Sequence, residues 1–462
     1  MLGGLRSRVR FTLDALAVED ELNLAFIVGQ HVEKISALRD RRPYRGALLR
    51  LAIFFFHLFS NMRARRAPKV VKDFFFYSDT QNQYSSLRGT YCALPTAQTF
   101  SLLSPALHKV IRTRDAADVT LRFSSADVAV ALIVFVVRFP GLYRRLRQGH
   151  EAALHNFLNF FCMPYVYIPA FLRLLEGGRV FCVIQSNDHN VTNRSLRLVA
   201  ERLGIKNAYM QHASVSALFP ALQYDYAFLD GVASLEVYEQ CAALQAFRGK
   251  KSYIYLTGQK KQLDVHGDIK SYIAIAVNAL DQASEVVRFL ERVKSLATPV
   301  SVRMHPAQRS DFVLELKRYA ASNDWVCIHA AGERALADFF AGAYFLVAAN
   351  SSIHLEAAVC GLVSYYHEFS TEVEHVDYYG YLGRGLISYF PNKEALCLAE
   401  LLQKKPPTEA VRYYSATYGT AWQGREGILV AECLQRLVTG KDVRDVFLEV
   451  ENSSIGVVHL PR

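Results

Sequence analysis

The chain has 462 residues, of which 51% are hydrophobic and 21% charged. That length exceeds one ordinary core and calls for two or three domains, and the composition excludes broad disorder. The net charge of +10 sits entirely at one end: residues 1–150 hold 23 Lys+Arg against 11 Asp+Glu, and residues 151–462 hold 30 against 32.

In chain order, the first 70 residues read as mostly helical. Ala47–Phe59 (ALLRLAIFFFHLF) is an apolar run followed by Arg63, Arg65 and Arg66. Val128–Val137 (VAVALIVFVV) is a second, followed by Arg138, Arg144, Arg145 and Arg147. Both fall short of the ~20 apolar residues that span a bilayer. The second is expected in the core. The first is read either as core or as an interfacial segment whose basic flank meets anionic lipid. Asp14, Glu19, Asp20 and Glu21 interrupt any apolar stretch of a secretory signal.

Lys72–Ser78 (KDFFFYS) reads as a first strand, and residues 80–178 as helical stretches of unassigned order. From Arg179 the pattern is regular. Arg179–Gln185 is a strand, Val191–Leu203 a helix closed by Gly204, and Asn207–Met210 and Tyr224–Leu229 are strands. After the helix Ser234–Phe247 comes a polar stretch around 248–270, read as a linker. A second alternating series follows, with strands at 272–277, 299–304, 325–329, 344–348 and 362–366 and helices between them. Residues 385–440 read as helical, with Glu426–Val438 as a closing helix. The expected division is 1–247, a linker at 248–270, 271–425, and a closing helix and tail at 426–462.

Eight cysteines form no C-x-x-C pair. They are neither a zinc framework nor a disulfide scaffold, and fit a reducing cytoplasm. No P-loop, no G-x-G-x-x-G after a strand, no H-E-x-x-H and no D-x-D occurs, so no metal or cofactor is expected.

Ligands of open α/β sheets bind at the carboxyl ends of the strands. In the second series those ends carry Asn278, Arg303 with His305-Pro306, and Asn350-Ser351-Ser352. Pro306 stops its strand. Arg303 and His305 share one side of it and suit a phosphate, Arg as a fork and His as a single donor. Ser351 or Ser352 can cap the helix beginning at Ile353, whose N-terminus offers N–H donors and a positive dipole end to an anion. A helix cap and a loop histidine are the plainer readings of each motif alone. In the first series the strand ends carry Asp188-His189, Gln211-His212 and Asp230-Gly231. Asp188 or Asp230 can equally serve as a cap or turn residue.

The ordered pair of His305-Pro306 and Ser351-Ser352, each at a strand end, resembles the HP and S/T-S motifs of bacterial sialyltransferases. It is similar to capsule-assembly Kdo transferases and, more loosely, to teichoic-acid glycerophosphotransferases. The resemblance spans roughly residues 180–380. It implies the α/β fold class of GT-B type: two Rossmann-like domains facing an interlobe cleft, with helical N-terminal additions. It further implies that His305, Ser351 and Ser352 bind the CMP part of a donor. Asp230-Gly231 matches half of the family's D/E-D/E-G base motif, Leu229 standing where an acid is usual. Gln211-His212 is similar to a QHG turn with Ala213 in place of Gly. Glu356, one turn into the Ser352 helix, stands where retaining relatives bind a ribose.

The expectation is an inverting, metal-independent transferase. It moves a CMP-activated sialic acid- or Kdo-like sugar onto a bacterial surface or capsular glycan, with His212, Asp188 or Asp230 as base. Its partners are then a nucleotide-activated sugar, a glycan or lipid-linked acceptor and an anionic membrane surface, with no nucleic acid. Its place is the cytoplasm, peripheral to the inner membrane. The alternatives are a transferase using CDP-glycerol or a UDP-sugar and a non-catalytic assembly protein on the same scaffold.

Overall fold

The computed structural model describes residues 2–32, 46–63, 70–111, 118–245, 251–259, 269–330, 332–370, 377–393, 395–403 and 407–462, with Leu263 and Val265. Arg65, Arg66 and, of the predicted 248–270 linker, residues 248–250, 260–262, 264 and 266–268 lie outside these residues. The chain forms two compact units, Met1–Lys261 with Arg425–Arg462, and Gln262–Gly424.

Unit 1 contains strands β1 (Phe74–Ser78), β2 (Thr99–Leu103), β3 (Asp118–Thr120), β4 (Cys182–Gln185), β5 (Lys206–Met210), β6 (Tyr226–Leu229) and β7 (Ser252–Leu256). Their order is β7-β6-β5-β4-β1-β2-β3, all parallel, which is the 3-2-1-4-5-6 order of a Rossmann sheet with one strand more. Phe74, Phe75 and Tyr77 are fully buried, as suits a parallel sheet covered on both faces.

Unit 2 repeats the order with β8 (Tyr272–Ala276), β9 (Val300–Arg303), β10 (Val326–His329), β11 (Ala343–Ala348), β12 (Ser364–Tyr366) and β13 (Ser388–Tyr389). The sheet runs β10-β9-β8-β11-β12-β13, again parallel and again 3-2-1-4-5-6. Ile273, Ile275, Val300 and Val302 point to one face and meet Val286, Phe289 and Leu316. Tyr272, Ala274 and Ala276 point to the other and meet Phe339, Ile353 and Ala357. The α/β class with two Rossmann-like units is thus set by the strand orders themselves.

The structure corrects three readings. Residues 252–256 are the strand β7 rather than linker. The stretch 385–440 holds β13 and two short helices, Leu398–Leu401 and Thr408–Tyr414, before the closing helix Glu426–Thr439. The tail is a hairpin of β14 (Phe447–Ser453) and β15 (Gly456–Pro461), and β15 extends the first sheet by pairing in parallel with β7. The closing helix docks on the helix Gln81–Ala93 where Gly427 meets Gly89. A Cβ on Gly427 would lie 2.7 Å from a backbone carbon of Gly89, so only glycine permits that approach.

The acidic run Glu19-Asp20-Glu21 ties the N-terminal helices to the rest of unit 1. Glu19 binds both Arg194 and Arg197 of the helix Val191–Arg202. Asp20 pairs with Arg145 at 2.7 Å, and Glu21 takes Arg138 at 2.9 Å and the Tyr165 hydroxyl at 3.0 Å. Burial pushes the Glu19 carboxyl up; the two guanidiniums more than offset it and hold the group below its ordinary range. Part of the basic excess is therefore consumed internally.

Glu19→Ala leaves Arg194 buried without a carboxylate and Arg197 with Glu201 alone, and is expected to cost ~3–5 kcal/mol of unfolding free energy in urea titration. Arg10→Ala, which breaks an exposed pair with Asp14, is expected to stay within ~0.5 kcal/mol.

Candidate functional site

In each sheet the order reverses between two central strands, β1 and β4 in unit 1 and β8 and β11 in unit 2. Helices leave that gap in opposite directions and open a crevice at the carboxyl ends. Both crevices are polar.

In unit 2, Asn350 follows β11 and Asn278 follows β8. The Asn278 amide Nδ2 donates to the Asn350 carbonyl at 3.5 Å. Asn350 Oδ1 accepts the backbone N–H of Tyr378 at 3.1 Å, so one side chain ties the loop after residue 377 to the crevice. Asp377, at φ 59, accepts the N–H groups of Leu382 and Gly383 at 2.9 and 2.8 Å and caps that loop. Tyr378 stays largely exposed beside it.

Ser351 Oγ accepts the Ile353 N–H at 3.4 Å, and a hydroxyl that accepts still has its own proton to donate. Ser352 is exposed and makes no side-chain cap. The N–H groups of residues 354–356 reach the Ser351 and Ser352 carbonyls at 3.1–3.5 Å. The N–H groups of residues 353–356 thus have partners within the chain, and the Ser351 and Ser352 hydroxyls stand beside them.

His305 lies exposed beyond β9, followed by the exposed Pro306. Its Nδ1 accepts the Ala307 N–H at 3.1 Å, which places the proton of the neutral ring on Nε2. Arg303, in register with Ala276 of β8 and His329 of β10, is half-buried. It donates to the Arg334 carbonyl at 2.5 Å and lies over the Phe339 ring. Burial pulls its pKa down, and the neighbouring Glu356 carboxylate pushes it back up. Arg303 and Glu356 thus form one electrostatic unit, while His305 reaches outward from a separate turn.

Sequence reasoning passed over two groups that shape this crevice. His354 is fully buried, its Nε2 donating to the Ala349 carbonyl at 2.9 Å and its Nδ1 accepting from Ser364 Oγ at 2.6 Å. Burial lowers its pKa to about 4, so it is a neutral strut beneath Asn350. Asp281, 2% exposed, accepts the Asn278 N–H at 2.7 Å and holds the turn after β8, where Asn278 Oδ1 in turn accepts the Leu280 N–H at 2.8 Å. Burial raises the Asp281 pKa to about 7. Its signal in the sequence was the Asn-x-x-Asp spacing after a strand, which marks a side-chain-closed turn.

In unit 1, Asp188 is 2% exposed and both its oxygens are engaged, by the Tyr238 hydroxyl at 2.6 Å and by His189 Nδ1 at 2.9 Å. The capping role belongs to Asn190, whose side chain accepts the Asn193 N–H. His189 is the group of the pair that reaches solvent. Its ring lies 4.4 Å from Phe219, and its Nε2 accepts from the Asn187 amide at 3.2 Å. With Nδ1–H on a buried carboxylate, the Nε2 lone pair of His189 is directed at the Asn187 amide, which would have to give way before Nε2 could accept a proton from a substrate.

Gln211 joins the next two strand ends, its Oε1 accepting the Asp230 N–H at 2.9 Å and its Nε2 donating to the Ala213 carbonyl at 3.0 Å. His212 is half-buried and Asp230 is buried. The structure thus sets Asp188, His212 and Asp230 on three adjacent strand ends. A further acid, Asp79 after β1, accepts from the Asn190 amide at 3.3 Å, and burial raises its pKa. It obeys the same strand-end rule and was missed because the order of residues 80–178 was not legible. Among the described residues, no group of three or more His, Cys, Asp or Glu is placed to hold a metal ion.

No protein-family model and no curated protein matches the sequence. Among solved structures, the chain is similar to UDP-GlcNAc 2-epimerase from Neisseria meningitidis bound to UDP-GlcNAc (TM-score 0.49, 11% identity, 80% of this chain and 100% of that one). It is similar to the wall teichoic acid polymerase TagF (0.46, 9%, 95% and 99%) and to MurG of Acinetobacter baumannii (0.42, 10%, 79% and 99%).

A group whose folded pKa is raised stabilises the fold below its unfolded pKa and loses that contribution as pH rises through the folded value. Asp281, near 7 in the fold against 3.8, therefore weakens unit 2 between about pH 4 and pH 7. Asp281→Asn is expected to raise the thermal midpoint of unit 2 at pH 8 and to leave it unchanged near pH 4, as followed by calorimetry.

Proposed function

We propose that the chain is an inverting glycosyltransferase that takes its sugar from a nucleotide donor held at the carboxyl edge of the second sheet. The observation that carries this reading is the strand order, which sets the ends of β9, β8 and β11 side by side at one edge of the sheet with His305, Asn278 and Asn350-Ser351-Ser352 following them, Asn278 being tied to Asn350. Phosphate oxygens would be met by the Nε2–H of His305 and the hydroxyls of Ser351 and Ser352, with the Arg303 charge behind them. Pro306 fixes the turn that holds His305. Tyr378, exposed beside Asn350, offers an aromatic face for the base. Glu356 balances Arg303 and can take a ribose hydroxyl. No step in this scheme calls on a metal or cofactor.

The proton of the acceptor hydroxyl is assigned to unit 1, where His189, backed by Asp188, would serve once Asn187 releases its Nε2. His212 and Asp230 stand on the neighbouring strand ends. The donor class favoured is CMP-linked acid sugar, on the ordered HP and Ser-Ser pair, and the acceptor a bacterial surface or capsular glycan, free or lipid-linked. CDP-glycerol and UDP-sugars use the same phosphate logic and are the competing donors.

Titration calorimetry of the full chain with CMP, CDP and UDP tests the donor. CMP is expected to bind most tightly, and His305→Ala to weaken it by roughly 10- to 150-fold, the loss of one hydrogen bond to a charged group at ~1.5–3 kcal/mol. Unchanged CMP affinity in that variant removes His305 from the site. No nucleotide binding at millimolar concentration removes the transferase reading.

The proton assignment has its own test. His189→Gln and Asp188→Asn are each expected to lower kcat by ~10²–10⁴ and to abolish the acid limb of the pH–rate profile, with little change in CMP affinity. A retained acid limb in His189→Gln would shift the role to His212 or Asp230.

A further inference from the structure

The helix Ser125–Gly149 is long and apolar enough to cross a membrane by length and composition, yet only 33% of its most apolar window is buried. Its inner face is core: Val128, Val130, Ala131, Val134, Leu142 and Leu146 are buried, and Asp127 is locked to Arg173 at 2.8 Å. A helix so built into the protein cannot be surrounded by lipid, so it does not span. Its outer face carries Ile133, Val136, Val137, Pro140 and Tyr143, all exposed and at helical spacing. Arg144 and Arg147 continue the same face into solvent. The row from Ile133 to Arg147 is about 21 Å long.

A second helix repeats the arrangement. Ala47–Ser60 buries Arg50, Phe54 and Leu58 and exposes Leu48, Leu49, Phe56 and Phe59. The exposed Arg63 follows it. The two helices are neighbours, since the Phe135 ring lies 5.9 Å from Phe54 and 5.3 Å from Phe55. Phe56 and Val136, on the exposed faces of the two helices, are each 73% exposed. Each of these two packed helices thus leaves a stripe of large apolar side chains in solvent. The expectation of core burial for Val128–Val137 thus holds for one face of the helix only.

From this surface we infer that unit 1 docks on an anionic lipid bilayer through the outer faces of Ala47–Ser60 and Ser125–Gly149, lying on the membrane rather than across it. The charge pattern selects the occupant. Asp127 is the only carboxylate in the two helices, and it is buried, so neither outer face carries a negative group. The arginines beside the apolar rows face outward, whereas Arg138 and Arg145 on the same helix are drawn to Glu21 and Asp20. Apolar rows sink into the headgroup boundary and bordering arginines meet lipid phosphates, the arrangement of interfacial helices. This surface is independent of the nucleotide crevice, so either reading survives failure of the other.

Vesicle co-sedimentation of the full chain tests it. Binding is expected to vesicles of phosphatidylethanolamine with phosphatidylglycerol and to be at least tenfold weaker to phosphatidylcholine alone. Phe56→Glu/Val136→Glu is expected to weaken binding at least tenfold at every salt concentration with the melting temperature unchanged. Arg144→Glu/Arg147→Glu is expected to remove the preference for phosphatidylglycerol. The inference is overturned if the wild-type chain binds neither vesicle, or if both double variants bind as the wild type does. It is equally overturned if sedimentation velocity shows a dimer without lipid that Phe56→Glu/Val136→Glu dissociates, because the patch then joins two copies of the chain. Should the apolar variant fail to melt cooperatively, the arginine variant decides, since its side chains are fully in solvent.

Discussion

A parallel strand cannot turn directly into its neighbour; the chain must cross over the sheet and return. Both sheets meet this constraint with the 3-2-1-4-5-6 order, which leaves one place in each where successive crossovers diverge. Backbone at that place has no partner strand beyond the edge, so side chains close its turns. Asp281 and Asn278 do so after β8, Asn187 and Asn190 after β4. The residues available for chemistry are those next to these closures. Asn350 and His189 owe their positions to a topological gap rather than to any local propensity, whereas His305 stands one strand away, on the turn after β9.

The N-terminal helices are held to this scaffold by charge. Glu19, Asp20 and Glu21 between them engage the helices Val191–Arg202, Ser125–Gly149 and Pro164–Leu175. Arg194 adds a direct link to the crevice, since its guanidinium also donates to the Asp188 carbonyl at 3.0 Å. A change in the position of the first helices would be felt at the loop that carries His189. Two of these carboxylates, Glu19 and Glu21, are buried with their partners, so the contacts that hold those helices are partly polar.

The second unit was legible because each of its strands is a short apolar run followed by a clear turn and an amphipathic helix, from Tyr272 to Tyr366. The first unit hid three strands. Thr99–Leu103 and Asp118–Thr120 lie at the edge of the sheet and are short and partly polar. Ser252–Leu256 alternates openly (SYIYL), but the polar residues around it suggested a linker. The C-terminal hairpin was hidden for another reason: its strands show mixed polarity, and nothing local announces that β15 pairs with β7, about 200 residues earlier. At the site, the outward polar groups were readable from strand ends. The buried supports His354 and Asp281 were not, because their roles depend on Ser364 and Ala349 in one case and on burial in the other.

The return of the chain to its first unit has a consequence for biosynthesis. During translation, β7 emerges with one edge unpaired, and its partner β15 lies beyond the whole of unit 2. The helix Glu426–Thr439, which covers the helix Gln81–Ala93, is equally late. A ribosome-bound intermediate therefore carries a finished second unit beside a first unit with an open sheet edge and an uncovered helix. Such an edge is a template for pairing with other chains. The hairpin that pairs with β7 is thus made only after unit 2, and release upstream of Phe447 is expected to leave the β7 edge open to such pairing.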